Sequence, residues 1–231
     1  GLNATRMKGR LFNRNVIASI DSNVTQGEFK KMQVTVDGKV SLSDLNAWAK
    51  QPILNTMSGV TRYQSVLHFW GEGQGKRNTI DVRSSLKGVT VDMPPPFYKN
   101  ANFPTRTTFS MTLDGSAAES SEIKIQYGED VNMVLGLDAY GVERGKMSFS
   151  PNKAKMPNQP GIWVDGHVEY LNFEEWNDFF SRLTKDYFDI NALDTEEELG
   201  NSIGQDLRDR ADSDPGRGRT ILSSFKMADL H

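Results

Sequence analysis

The chain has 231 residues, with 27 lysines and arginines against 30 aspartates and glutamates, and its formal net charge at pH 7 is -3. Such a chain lacks the strong positive field of a general nucleic-acid binder, so nucleic acid is excluded as a partner. Cysteine is absent from the sequence, which excludes disulfides, thiol nucleophiles and cysteine-bound metals. No apolar run approaches the roughly 20 residues that a membrane-spanning helix needs, and no signal peptide is recognisable.

Alternating apolar and polar residues recur in short segments along most of the chain. They run through residues 16–20 and 32–36, return at 63–69 and 80–93, and continue from 107 to 149. Glycines, an Asp-Gly pair and the three prolines Pro94 to Pro96 separate these segments. Alternation with regular turn signals predicts about ten short strands and an antiparallel, mainly β structure.

Residues 36–48 and 164–176 share one pattern, reading VDGKVSLSDLNAW and VDGHVEYLNFEEW. Asp-Gly is the dipeptide most typical of a tight hairpin turn, so each copy predicts a hairpin followed by a helix. These two hairpin-helix units cover residues 36–50 and 164–187.

The two predicted helices differ in length. Asn172 and Glu175 have the spacing of a helix-capping box, and apolar residues follow at helical spacing from Phe173 to Tyr187. In the first unit Asp44 is the predicted cap, and Pro52 ends the helix early. The sequence therefore predicts one amphipathic helix and one short helix.

The C-terminal part changes character. Residues 191–219 are acidic and hold almost no apolar side chains, which predicts a flexible insert. A further strand is expected to start within 220–231, because alternation resumes there. We expect 1–190 to be one β segment, and the chain to be a fragment of a longer one.

The residues that could form a catalytic or phosphate-binding site have simpler structural interpretations. Asp37 and Asp165, with Trp48 and Trp176 as sugar platforms, are conceivable as the acid pair of a carbohydrate-active β-sandwich enzyme. Turn formation and helix packing explain the same residues without chemistry. The glycine-rich stretch 71–75 lacks the strand-loop-helix context of a phosphate-binding loop. We expect no catalytic residue, no metal and no cofactor.

About ten strands with one apolar face need more cover than two helices provide. The sheet must pack on itself as a sandwich, curl around its own core, or keep an apolar trough for a ligand. From the residues alone, the sandwich is favoured.

A resemblance to a known family changes that preference. The passages at 58–69, 80–101, 142–149 and 157–176 closely resemble the C-terminal half of YhdP-type proteins of the AsmA-like family. The shared features include Ser85 to Gly88 followed by the proline run and Lys99. A second set comprises Pro160, Gly161, Gly166, Leu171 and Trp176. The resemblance covers most of residues 35 to 185.

The resemblance implies a fold and a function. It implies an elongated, curved, antiparallel sheet that forms an apolar groove, a β-taco-like shape. It also implies a periplasmic segment, tethered to the inner membrane of a Gram-negative bacterium, that carries phospholipid to the outer membrane without chemistry. The candidate lipid-binding residues are Ile80, Val82, Leu86, Val89, Val91, Phe109, Met111, Leu113, Ile123, Ile125, Met133 and Leu135.

An alternative function remains open beside lipid transport. The segment could be a structural or docking module of an envelope protein, in which the helix at 173–187 contacts a membrane surface or a protein partner. The candidate docking residues are Trp176, Phe179 and Phe180.

Overall fold

A computed structural model of the protein describes residues 1–25, 28–72, 75–113, 121–138 and 141–185, together with a strand at 225–230. The strands within these ranges are β1 Asn3–Leu11, β2 Arg14–Thr25, β3 Glu28–Ser41, β4 Met57–Trp70, β5 Asn78–Ser84, β6 Val89–Val91, β7 Thr107–Leu113, β8 Ser121–Tyr127, β9 Val131–Asp138, β10 Gly141–Phe149, β11 Gly161–Gly166 and β12 Phe225–Leu230. The helices are α1 Leu42–Ala49 and α2 at 173–185, and a 3-10 helix spans Pro52–Thr56.

Eleven of the described strands lie side by side in one open, curved sheet, in the order β1-β2-β3-β4-β5-β7-β8-β9-β10-β11-β12. The remaining strand, β6, pairs with the first residues of β4, so that Met57 lies opposite Val91 and Gly59 opposite Val89. The mainly β, curved architecture with two helices is therefore confirmed. The sandwich favoured by the residues alone is wrong, because these strands form a single sheet.

The direction of the strands changes near the C-terminal end of the sheet. Every neighbouring pair from β1 to β10 is antiparallel, but β10 and β11 are parallel, as are β11 and β12. The expectation of a purely antiparallel sheet is wrong in this part. In a parallel pair, the chain must cross from the end of one strand back to the level where that strand began before the next strand starts. Residues 150–160 form this crossover between β10 and β11.

Neither Asp-Gly pair of the two predicted hairpin-helix units forms the hairpin turn that the sequence predicts, and the third Asp-Gly pair, at 114–115, lies outside the described residues. Asp37 and Gly38 lie in the middle of β3, where they pair with Ile17 and Val16 on one side and with Gln64 and Tyr63 on the other. A Cβ at residue 38 would lie 2.8 Å from Val16 Cγ1, so glycine serves side-chain packing there.

Gly166 ends β11 with φ of 112°, against the backbone of Phe149, and no second strand follows it before α2. The hairpins of both predicted units are therefore wrong, although a helix does follow each segment.

The two helix starts differ from each other in how well the sequence predicts them. Asn172 accepts hydrogen bonds from the backbone N–H groups of Glu174 and Glu175 at 3.0 and 3.3 Å, and donates to the Glu175 carboxylate at 2.9 Å. Asn172 is therefore confirmed as the cap of α2, and Glu175 accepts from its side-chain amide rather than from its backbone N–H. The cap of α1 is Ser41, not Asp44, which lies in the first turn of the helix.

Beyond α2, residues 191–219 lie outside the described part of the chain. The described strand at the C-terminal end, β12, pairs with β11 from Ile162 opposite Phe225 to Gly166 opposite Leu230.

Candidate functional site

One face of the sheet is apolar across nine neighbouring strands, from β2 to β5 and from β7 to β11. Cross-strand partners share a face, so the register identifies its members. One row is Ala18, Val36, Ser65, Val82, Phe109, Ile125, Met133, Met147 and Val164. The next is Ile20, Val34, Leu67, Ile80, Met111, Ile123, Leu135, Gly145 and Ile162. We call these two rows, with the flanking Phe69 and Leu113, the apolar face.

Side chains on the apolar face are mostly half-buried, apart from Ser65 and Gly145, which are buried. The helices and β6 pack at one border of the face, the border where β3, β5, β8 and β10 end, and we call it the helical border. Eight steps between strands at about 4.8 Å give the face a length of about 38 Å across the sheet. An apolar surface of this extent that is left half-exposed is unusual for a soluble chain and marks a site of interaction.

Nine of the twelve candidate lipid-binding residues lie on this face or at its edge. They are Ile80, Val82, Phe109, Met111, Leu113, Ile123, Ile125, Met133 and Leu135. The structure brings them together, and a role in lipid binding stays a prediction. The candidate list missed the members on β2 to β4 and on β10 and β11, although the same alternation is visible there.

The other three candidates lie elsewhere, in a small core at the helical border. Val89 and Val91 are 0% and 1% exposed, and they pack with Leu86 and Leu42. Leu45 of α1 and Leu54 of the 3-10 helix pack against them. We call this group the border core. Because its valines have no contact with solvent, their apolar character is explained by packing inside the protein.

A buried lysine closes the border core. Lys99 is 4% exposed, and its ammonium group donates to the backbone carbonyls of Leu86, Val89 and Asn100 at 2.8, 2.7 and 3.1 Å. Burial lowers the pKa of Lys99. The ammonium group thus satisfies carbonyls of the turn around Gly88, whose φ is 90°, and this explains the lysine that follows the proline run.

The candidate docking residues of α2 are used within the chain. The Trp176 ring lies 5.7 Å from Phe97, and its indole N–H donates to the carbonyl of Pro95 at 3.0 Å. Phe179 is 4% exposed, and Phe180 stacks at 5.3 Å from Trp176. The predicted helix face also included Phe173, which is 60% exposed. A docking role for the three residues stays a prediction. Trp176 attaches α2 to the loop that carries Pro95 and Phe97, and Phe179 and Phe180 pack beside Trp176.

Two tyrosines mark the helical border of the apolar face. Burial raises the pKa of both Tyr63 and Tyr127, and for Tyr127 a hydrogen bond with Thr105 acts in the opposite direction. The Tyr127 hydroxyl donates to the carbonyl of Phe97 at 2.8 Å. This bond joins β8 to the loop that carries Lys99.

The opposite face of the sheet is polar and carries both aspartates of the conceivable enzyme site. Gln64 donates to Asp37 at 3.0 Å, and Lys146 forms an ion pair with Asp165 at 2.6 Å. Burial alone would raise the pKa of Asp165, but its bonds to Lys146 and Ser148 outweigh burial and lower it.

The acid pair of the conceivable enzyme does not form. Seven strand steps separate β3 from β11, which is about 34 Å along the sheet at about 4.8 Å per step. The two carboxylates of a glycoside hydrolase lie within about 10 Å of each other. Asp37 and Asp165 therefore cannot act on one bond, and this interpretation is wrong.

Comparison with known proteins supports an envelope role. The family model described as YhdP protein matches residues 1–211. No curated protein and no solved structure matches the chain. The matched family is associated with the bacterial envelope and is not a known enzyme family. Among the described residues, no helix has the length and apolar character needed to cross a membrane.

Proposed function

Since the chain belongs to the YhdP family, we propose that its apolar face carries phospholipid acyl chains between the inner and outer membranes of a Gram-negative bacterium. The observation that supports this proposal most directly is the pair of side-chain rows that continue across nine strands without a charged residue. In the full-length protein the segment would stand in the periplasm and be tethered to the inner membrane.

The physical basis of the proposal is the cost of exposing acyl chains to water. Each methylene moved from an apolar environment into water costs about 0.8 kcal/mol, so a free phospholipid crosses an aqueous gap slowly. An apolar surface that continues from strand to strand offers the chains similar surroundings at every step. A lipid can then move along the sheet without passing through water.

The composition of the face suits movement better than tight binding. Its side chains are apolar except for Ser65, with Phe109 and the methionines Met111, Met133 and Met147 near its middle. Methionine is flexible and adapts to apolar partners of different shape. Because the rows lack a charged group, the headgroup has no partner within them and would stay in water.

Site-specific photo-crosslinking tests the proposal with matched pairs of positions. A photoreactive amino acid at Phe109 or Ile125 points from the apolar face, whereas one at Ser110 or Gln126 lies on the same strands but on the polar face. In cells that express the full-length protein, we expect phospholipid adducts at Phe109 and Ile125 and few at Ser110 and Gln126. Mass spectrometry identifies the adducts.

Two results would contradict the proposal. Equal adduct yields on both faces would show that lipid contact is nonspecific. An absence of adducts on the apolar face, with efficient crosslinking to another segment of protein, would show that the face is a protein interface. As a functional check, Ile125→Asp should reduce lipid capture strongly, while Gln126→Asp should leave it unchanged.

A further inference from the structure

Trp48 of α1 and Phe12 of the β1–β2 turn form an aromatic pair at the surface beside β1. Trp48 is 72% exposed, the highest value among the large hydrophobic side chains that the structure describes. The two rings lie 5.7 Å apart in an edge-to-face arrangement, and Leu11 beside them is 42% exposed. We call Leu11, Phe12 and Trp48 the aromatic tip.

The backbone at the aromatic tip holds Phe12 in an unfavourable conformation. Phe12 and Asn13 have φ of 48° and 57°, so they form a two-residue turn in which both central residues are left-handed. Asn and Gly suit such positions, and a bulky residue strains them. Arg14 of β2 lies 3.9 Å from Asp44 of α1, a long ion pair between partly exposed side chains that shows the turn and the helix to be neighbours. The ring of Phe12 is therefore positioned at a cost in backbone strain.

Basic residues dominate the two segments that form the tip. Residues 10–14 and 39–50 contain Arg10, Arg14, Lys39 and Lys50 against the single acid Asp44, a net charge of +3 from four cations and one anion. The whole chain has a net charge of -3. Positive charge is thus concentrated at the tip although the chain is acidic overall.

We propose that the aromatic tip docks onto an anionic lipid surface. Tryptophan prefers the interface between lipid headgroups and the hydrocarbon core, where its ring is apolar and its N–H remains hydrated. Neighbouring lysines and arginines add attraction to anionic lipids. The tip offers both features on a turn and a helix that contact each other through the rings of Phe12 and Trp48.

Two other exposed aromatics, Phe103 and Phe173, have acidic neighbours and serve as a contrast. Phe103 is 69% exposed, and it lines an open cavity of about 420 Å³ together with Glu129 and Asp130. Phe173 is 60% exposed and precedes Glu174 and Glu175. An anionic membrane repels such surfaces, so exposure of an aromatic ring alone does not lead to the same proposal.

Vesicle cosedimentation of the 231-residue chain tests the proposal. Vesicles of phosphatidylcholine alone are compared with vesicles that contain one third phosphatidylglycerol. We expect binding to the anionic vesicles, reduced about tenfold or more by Trp48→Ala and about fivefold by Arg10→Gln. Phe103→Ala is the matched control and should bind as the unchanged chain does. Thermal unfolding of each variant confirms that it is folded.

Several outcomes would overturn the proposal. They are equal binding to neutral and anionic vesicles, unchanged binding of Trp48→Ala, or an equal loss with Phe103→Ala. Absence of vesicle binding together with Trp48-dependent capture of a protein would assign the tip to a protein partner. The tip does not share residues with the apolar face, so Ile125→Asp should leave vesicle binding intact whether or not the face carries lipid.

Discussion

The apolar face and the border core are built from the same residue types but end in different environments. Val82 and Val89 both belong to alternating segments, yet Val82 is half-buried and Val89 is 0% exposed. The difference arises from what lies above each residue. α1, the 3-10 helix and the loop that carries Lys99 enclose Val89. Val82 lies on the apolar face, and the described elements that cover this face lie only at its helical border. Apolar alternation therefore identifies a face, and the covering elements decide whether the face is a core or a surface.

The largest expected effect comes from opening the border core at Lys99. Lys99→Met removes three charge-assisted hydrogen bonds at the border core, although the carbonyls of Leu86 and Asn100 still accept from the N–H groups of Val89 and Phe103. We therefore expect a loss of about 3–5 kcal/mol in the free energy of unfolding, mainly from the lost bonds to the charged group. Urea denaturation followed by tryptophan fluorescence measures it. The exposed Lys87 is the control, and Lys87→Met should change the stability by less than about 0.5 kcal/mol. Equal stability of both variants would mean that the ammonium group does not support the border core.

A paired comparison of two valines sharpens the contrast directly. Val89→Ala leaves a cavity in the border core and should cost about 2–3 kcal/mol. Val82→Ala removes the same atoms from a half-exposed surface and should cost less than about 1 kcal/mol. Both values come from urea denaturation of otherwise identical chains. If Val82→Ala proved as costly as Val89→Ala, the apolar face would be a closed core in solution.

The smallest expected effect concerns the polar side of the same sheet. The pKa of Asp165 is lowered, so the folded state binds fewer protons than the unfolded state at pH values between the folded pKa and 3.8. Its contribution to stability is therefore present above pH 3.8 and is lost as the pH falls through the folded pKa. Because the side chain is 42% exposed, Asp165→Asn should cost less than about 1 kcal/mol at pH 7.

For Asp165, the difference in unfolding free energy between the unchanged chain and Asp165→Asn is measured as a function of pH. We expect unfolding free energies of Asp165→Asn and the unchanged chain to converge below pH 3.8. A difference that stays constant at all pH values would show that the ion pair with Lys146 does not stabilise the fold.

The sequence predicts strands and sheet faces well because alternation reports them directly. The nine candidate residues that share the apolar face were found in this way, and the Asn172–Glu175 cap was found from local hydrogen-bonding chemistry. The sequence could not distinguish Leu86, Val89 and Val91 from the face, since their burial depends on α1 and on Lys99, which are distant in the chain.

The Asp-Gly pairs of the two predicted hairpin-helix units show a different limit of local patterns. Glycine is present at position 38 because Val16 and the Tyr63 ring, which would lie 3.3 Å from a Cβ, occupy the space of a side chain. At position 166 it allows a left-handed backbone beside Phe149. The same dipeptide therefore arises from two causes, and neither is a hairpin turn. The matching sequences at 36–48 and 164–176 consequently do not fold into the same unit.

The return of the chain between β10 and β11 determines which side of the sheet is obstructed. Met156 of the return segment lies against Gly136, whose neighbours Leu135 and Leu137 point to the apolar face, so the segment crosses the polar side. Asn132 donates to the carbonyl of Ser150 at 2.8 Å where the crossing begins. The same segment on the other side would block both rows at β9 and β10. The direction of a single crossover thus keeps a path along the apolar rows free. Insertions that lengthen the segment 150–160 would add chain on the polar side and would not narrow this path.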